Sequence, residues 1–221
     1  MGAAENKIYL KLAGKTVLEQ ALDAFEHCAS VDTVVLVVGS GEQERAAGIV
    51  KAAGYRKIRE IIVGGAERQD SVCAGLNALS TDGALIHDAA RPLVTPEQIA
   101  ACCLAAEEHG ASALAVPVKD TIKVSDGQGF IVETPERSLL WSVQTPQAFS
   151  RLELLEAHRR AREEGAFATD DAMLLERLGR KVAIVQGDYA NLKITTPEDL
   201  PVAELLLRGR QGVRGKEVQD D

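Results

Sequence analysis

Aromatic side chains are scarce in this sequence: one tryptophan, three tyrosines and four phenylalanines among 221 residues. Proteins that bind unpaired nucleic acid stack bases on such rings, so that class is disfavoured. An excess of positive charge is absent as well, since 25 Lys and Arg stand against 33 Asp and Glu, a formal net charge of −8. This argues against a broad phosphate-tracking surface, and any anion site must be local. No apolar run reaches the roughly 20 residues needed to span a bilayer. The opening Met1-Gly2-Ala3-Ala4-Glu5-Asn6-Lys7 lacks the charged-then-apolar order of a secretory signal. A cytoplasmic pocket protein without membrane or nucleic-acid partners is expected. Cys28, Cys73, Cys102 and Cys103 show no C-x-x-C spacing and fall in helix-like segments, where a small buried thiol is the ordinary role. His27, His87, His109 and His158 are scattered without ligand spacing, which argues against a histidine zinc centre.

What the sequence does contain is alternation. Hydrophobic residues make up 46% of the chain, enough for one sizeable core. Short β-branched runs take turns with amphipathic stretches, the pattern of a parallel sheet covered by helices on both faces. Strands are predicted at 33–38, 60–63, 84–87, 111–118 and 182–185, and helices near 17–25, 42–53, 70–79, 150–164 and 170–179. Two further helices are predicted, one opening at Thr95-Pro96-Glu97, where a hydroxyl cap precedes a proline, and one after Thr196-Pro197-Glu198-Asp199. The fold class is α/β.

Between Lys119 and Phe149 the pattern changes to Thr121-Ile-Lys-Val, a Ser-Asp-Gly-Gln-Gly turn and Phe130-Ile-Val-Glu, a hairpin rather than a crossover. The segment from about 119 to 149 is a candidate dimer arm, because an isolated two-stranded ribbon is marginal alone. A flap over its own domain is the equal alternative. Residues 1–207 are expected to form one domain including this arm, and 208–221, without apolar periodicity, a disordered tail.

Ligands of open α/β sheets bind beyond the carboxyl ends of the strands, and two such exits are chemically loaded. After the strand at 60–63 comes Gly64-Gly65-Ala66-Glu67-Arg68-Gln69-Asp70-Ser71, whose paired glycines allow close backbone approach and whose serine sits near a helix start. A plain turn is the bland alternative. After the strand at 84–87 comes His87-Asp88-Ala89-Ala90-Arg91-Pro92, a carboxylate beside a guanidinium, or simply a local ion pair. Lys7, Arg137 and Lys193 stand isolated near turns. Each alone is ordinary surface, whereas convergence of the three would suit a polyphosphate, whose transfer depends on positioning and charge neutralisation.

Six segments, G-G-A-E-R-x-D-S-V (64–72), H-D-A-A-R-P (87–92), P-V-K-D-T-I-K (117–123), R-S-L-L-W-S-V-Q-T-P-Q-A-F (137–149), A-T-D-D-A (168–172) and N-L-K-I-T-T-P-E-D-L (191–200), together resemble the 2-C-methyl-D-erythritol 4-phosphate cytidylyltransferases. The resemblance runs in order from residue 1 to about 207. It implies a Rossmann-like nucleotidyltransferase fold, mostly parallel, and transfer of a cytidylyl group from CTP to methylerythritol phosphate in isoprenoid precursor synthesis. Ribitol 5-phosphate cytidylyltransferases share much of the pattern and are the alternative. Carried over position by position, Lys7 matches the lysine that neutralises the triphosphate and the transition state. Gly64, Gly65 and Ser71 match contacts to cytosine and ribose, and Asp88 with Ala89 the ribose and metal side, Asp88 being the ligand for Mg²⁺ or another divalent cation. Arg91, Thr121, Thr145 and Thr169 match contacts to methylerythritol phosphate. Arg137 and Lys193 match the pair that holds the attacking phosphate, and the arginine of the family arrives from the other subunit. A homodimer through the arm is thereby implied.

The sequence departs from the family pattern in three places. Asn6 and Ile8 flank Lys7 where the family has Pro and Gln, and Ala66 stands where an acidic residue occurs. The family's first strand and its Gly-rich loop, which grips the triphosphate, have no counterpart before Met1. Sheet edges are therefore expected to lie exposed and activity of the chain as written to be weak, leaving a non-catalytic nucleotide-binding dimer as the remaining alternative.

Overall fold

The structure, a computed structural model, describes residues 6–217, with side chains described as far as residue 210. Lys7–Tyr9 form a single 3-10 turn, followed by a small hairpin of β1 (Lys11–Leu12) and β2 (Lys15–Thr16) and by α1 (Val17–His27). Thr16 caps α1 by accepting from Glu19 N, and the Glu19 carboxylate returns to Thr16 N at 2.6 Å, a reciprocal capping box. Next come β3 (Val34–Val38), α2 (Gln43–Ala53), β4 (Ile58–Val63), α3 (Arg68–Ala78), β5 (Gly83–Ile86) and α4 (Pro96–His109). Helix α4 starts as predicted, with Thr95 as cap and Pro96 in its first turn. Then follow β6 (Ala111–Pro117), a ribbon of β7 (Val124–Ser125) and β8 (Ile131–Glu133), the long β9 (Trp141–Ser150), α5 (Arg151–Glu163), α6 (Asp171–Arg177), β10 (Ala183–Gln186) and α7 (Asp199–Glu217).

Four strands form one sheet in the order β10-β6-β9-β5. Strand β6 runs parallel to β10, while β9 is antiparallel to both β6 and β5, so this sheet is mixed rather than mostly parallel. The reason lies in β9 itself. Residues 144–149 are buried, yet they read Gln-Thr-Pro-Gln-Ala-Phe, which disguises a core strand. The arm is accordingly shorter than the 119–149 expected, because β9, from Trp141 to Ser150, pairs with β6 and β5 in the body. Of the strands between residues 119 and 149, only β7 and β8 lie outside that sheet.

Successive residues of β6 point to opposite faces. Ala113 packs with Leu154 of α5 and Leu174 of α6, whereas Leu114 packs with Cys102 of α4. The helices thus cover both faces, as the α/β class requires. Cys28 and Cys102 are buried, Cys73 and Cys103 partly so, and all four are free thiols. The last helix reaches Glu217, so residues 208–217 are helical rather than the disordered tail expected; residues 218–221 lie outside the described residues.

Strands β3 and β4 form a separate parallel pair. The edge of β3 and the edge of β5 share no ladder, and a cleft of about 1330 Å³ runs between them. Phe25, Leu36, Val38, Leu76 and Leu85 give its middle an apolar lining, while Gly64, Gly65, Arg68 and Asp88 line one end. No described helix is long and apolar enough to cross a membrane.

Candidate active site

At the carboxyl end of β5 the chain turns through Asp88-Ala89-Ala90-Arg91, closed by Arg91 N–H donating to the Asp88 carbonyl at 2.9 Å. Ile194 N–H donates to the Ala90 carbonyl at 2.8 Å, which brings the 191–196 segment beside this turn. Lys193 then reaches Asp88, its Nζ 2.7 Å from Oδ2. Arg68, at the start of α3, lies on the other side of the carboxylate with Nε 3.6 Å from Oδ1. Burial works against the Asp88 charge, but Lys193 and Arg68 outweigh it and hold the carboxyl below its ordinary range.

Arg68 is anchored in turn. Its Nη1 lies 2.8 Å from Oδ2 of Asp171, a carboxylate with no exposure, and His158 Nε2 sits 3.3 Å from the other oxygen. A file of alternating charge thus runs Asp171, Arg68, Asp88, Lys193 from the interior to the surface. Neither Arg68 nor Asp171 is singled out by sequence reasoning, although both stand inside its quoted motifs. A signal for them exists, since a carboxylate in the first turn of a helix that must be buried needs a cation.

The glycines before α3 are required by close approach. A Cβ on Gly64 would stand 2.4 Å from Ser71 Oγ, and one on Gly65 would stand 2.2 Å from Asp70 Cβ. Gly65 N–H donates to Ser71 Oγ at 3.1 Å, and the Ser71 hydroxyl donates to the Glu67 carbonyl at 3.2 Å. The loop is therefore held against its own helix with Gly65 exposed at the end of the cleft.

Other predicted residues divide into two groups. Lys7 starts the turn whose Ile8 and Tyr9 pack in one cluster with Val38 and Ala89, which puts it at the same carboxyl end of the strands. Arg91 donates from Nη1 to the Asn191 carbonyl at 2.8 Å, and Thr145, buried on β9, meets Asp88 N and His87. These residues share one corner of the fold. Thr169 is exposed just before α6, its hydroxyl 3.9 Å from Met173 Sδ. Thr121 and Arg137 lie exposed at the base of the ribbon, where Arg137 Nη1 donates to the Lys119 carbonyl at 3.0 Å. Among the described residues, no hydrogen bond or ion pair links Arg137 to Asp88 within the chain.

His87 lies under the site, its ring centroid 5.0 Å from that of Phe25. Burial pushes its pKa down to about 4. An unfolded histidine titrates near about 6.5, so between these values the unfolded chain binds more protons and stability falls as the pH drops. The loss should approach roughly 3 kcal/mol by pH 4, seen as a declining melting temperature that flattens when His87→Gln is compared. Identical pH profiles for the two proteins would contradict this.

A corner that gathers cations around one carboxylate is suited to holding phosphates. With the α/β layers and the Gly-Gly loop, it suits the phosphates of a nucleotide. The particular family follows from comparison with known proteins. Residues 1–209 match the family model described as IspD: 2-C-methyl-D-erythritol 4-phosphate cytidylyltransferase, and the chain belongs to that family. It is 50% identical over 215 residues to the enzyme of that name from Pelotomaculum thermopropionicum, covering 96% of this chain and 90% of the relative. Among solved structures, the 4-diphosphocytidyl-2C-methyl-D-erythritol synthase of Anaerococcus prevotii superposes with a TM-score of 0.86 at 31% identity, covering 94% and 92% of the two chains. The 2-C-methyl-D-erythritol 4-phosphate cytidylyltransferase of Thermus thermophilus gives a TM-score of 0.79 at 36% identity, covering 93% and 95%.

Proposed function

We propose that this chain transfers the cytidylyl group of CTP to 2-C-methyl-D-erythritol 4-phosphate, giving 4-diphosphocytidyl-2-C-methyl-D-erythritol and pyrophosphate for isoprenoid precursor synthesis. The observation that carries this reading is the meeting of Asp88, Lys193 and Arg68 beside the Gly64-Gly65 loop. An oxygen of the methylerythritol phosphate attacks the α-phosphorus of CTP, one P–O bond forms, and the bond to the β-phosphate oxygen breaks to release pyrophosphate. A phosphate monoester has its second pKa near about 6 and is mostly ionised at neutral pH, so the attack requires no general base. Lys7 and Lys193, with Arg137 supplied by a second subunit, neutralise the approaching anions. Gly64, Gly65, Ser71 and Ala89 receive the nucleoside, and Arg91, Thr121 and Thr169 face the methylerythritol phosphate.

Asp88 fits the role of protein ligand for Mg²⁺, a cation commonly bound through one or two carboxylates and completed by substrate phosphates. When bound, it would supply charge neutralisation on the triphosphate. Holding the cation there would require Lys193, now 2.7 Å from Asp88 Oδ2, to give up that oxygen. The homodimer is supported by the ribbon itself, where Phe130, Ile131 and Val132 are 61–70% exposed. Apolar side chains on a two-stranded ribbon need a covering surface.

The test is pyrophosphate release from CTP and Mg²⁺ with each alcohol phosphate in turn. Release with methylerythritol phosphate in preference to ribitol 5-phosphate is the expected result. The reverse preference would make this a ribitol enzyme, and CTP binding without turnover would make it a non-catalytic scaffold.

A further inference from the structure

The turn that carries Asp88 and Arg91 has four backbone groups at its ends, and each must be paired where water is excluded. Arg91 N–H and the Asp88 carbonyl satisfy each other at 2.9 Å. The remaining pair, Asp88 N–H and the Arg91 carbonyl, face no backbone partner. They are joined instead through two side chains. Asp88 N–H donates to Thr145 Oγ1 at 3.1 Å, Thr145 Oγ1 lies 3.1 Å from His87 Nδ1, and His87 Nε2 lies 3.2 Å from the Arg91 carbonyl.

For a neutral imidazole, proton bookkeeping leaves one arrangement. The Arg91 carbonyl can only accept, so His87 carries its proton on Nε2. In the neutral ring Nδ1 is then an acceptor, and the Thr145 hydroxyl must donate to it. The Thr145 oxygen takes the Asp88 N–H on a lone pair. The hydroxyl proton is thus consumed inside the protein, on a side chain only 5% exposed. The backbone of Thr145 is fixed as well, since Asn191 Nδ2 donates to its carbonyl at 3.0 Å and the Asn191 carbonyl receives Arg91 Nη1 at 2.8 Å.

We propose that Thr145 and His87 are positioning residues. Together they form a one-way hydrogen-bond relay, from Asp88 N–H through the Thr145 hydroxyl and the His87 imidazole to the Arg91 carbonyl, that holds the Asp88–Arg91 turn in its working shape. Thr145 acts through this relay and not by gripping the substrate phosphate, which revises the role its motif position implies. The functional consequence rests on the cytidylyl-transfer reading, in which this turn presents Asp88 and Arg91 to the substrates; the relay itself does not.

Two measurements separate those layers. Long-range proton–nitrogen correlation spectra of the unliganded protein, assigned with His87→Gln, should place His87 as the neutral Nε2–H tautomer at pH 7. A proton on Nδ1, or a charged ring, would overturn the relay whether or not the protein turns over CTP. Replacing Thr145 by valine should shift the His87 Nδ1 resonance and lower kcat by roughly tenfold to a hundredfold, with the KM for methylerythritol phosphate changed less than about twofold. Thr145→Ser, which keeps the hydroxyl, should restore both the resonance and kcat to within about threefold of the parent. A raised KM with unchanged kcat and an unchanged His87 spectrum in Thr145→Val would instead make Thr145 a substrate contact and sink the proposal.

Discussion

Replacing Lys193 by alanine should lower kcat by roughly a hundredfold to a thousandfold, the usual effect of deleting one preorganised charge-stabilising donor. Stability should scarcely change. The lysine side chain is 40% exposed, and its pairing with Asp88 is therefore screened by solvent, contributing at most about 1 kcal/mol. Removing it does not strand a buried charge, because Arg68 remains against the other Asp88 oxygen. The segment is also held independently of the side chain by the Ile194 N–H to Ala90 carbonyl bond of 2.8 Å. For a chain of this size, that bounds the fall in melting temperature at about 2–4 °C. Pyrophosphate release and thermal unfolding on the same preparation decide the matter. A fall well beyond that range, or a rate within a few-fold of the parent, would show that Lys193 supports the fold rather than the reaction. Arg68→Gln offers the informative contrast: it removes the partner of Asp171, a carboxylate with no exposure, so both rate and melting temperature should drop.

Much of this arrangement is legible in the amino-acid sequence alone. Five predicted strands and seven predicted helices appear within a few residues of their expected positions, because apolar periodicity and the Thr95-Pro96 cap are local signals. Strand β9 is illegible for a physical reason. Its buried stretch carries Gln144, Thr145, Pro146 and Gln147, residues that read as a loop. Only tertiary partners make them acceptable inside: Gln144 donates to the Asp188 carbonyl at 3.0 Å and Gln147 to Asp170 at 2.8 Å. The site shows the same division. Asp88 and Lys193 can be picked out because charged residues beside strand ends and turns invite attention, and the fold brings them together across 105 positions. His87, Arg68 and Asp171 work from beneath, and the signal for Arg68 and Asp171, a first-turn carboxylate that needs a cation, becomes readable only once that turn is known to be buried. Residues 208–217 mislead for the opposite reason, since a helix can continue on backbone hydrogen bonds past the end of its apolar pattern.

A mixture of two inactive variants should recover activity if the arm completes a neighbouring site. Arg137 is exposed at the base of the ribbon, its guanidinium donating to the Lys119 carbonyl, and it joins no ion pair with the Asp88 and Lys193 corner of its own chain. If each site takes Lys193 from one subunit and Arg137 from the other, Lys193→Ala and Arg137→Ala homodimers have no intact site. A dimer containing one of each has one site missing both groups and one missing neither. Random reassortment makes about half of all dimers mixed, so about one quarter of the parental sites should return under two-fold symmetry. Each variant alone should stay at the level set by its lost cation, a hundredfold or more below the parent. The measurement is pyrophosphate release before and after the two proteins are unfolded and refolded together, with size-exclusion chromatography confirming dimers. No recovery in a sample shown to contain mixed dimers would place both cations in sites built from a single chain. In that case the ribbon folds over its own domain, and the exposed Phe130, Ile131 and Val132 must be covered in some way other than by exchange between subunits.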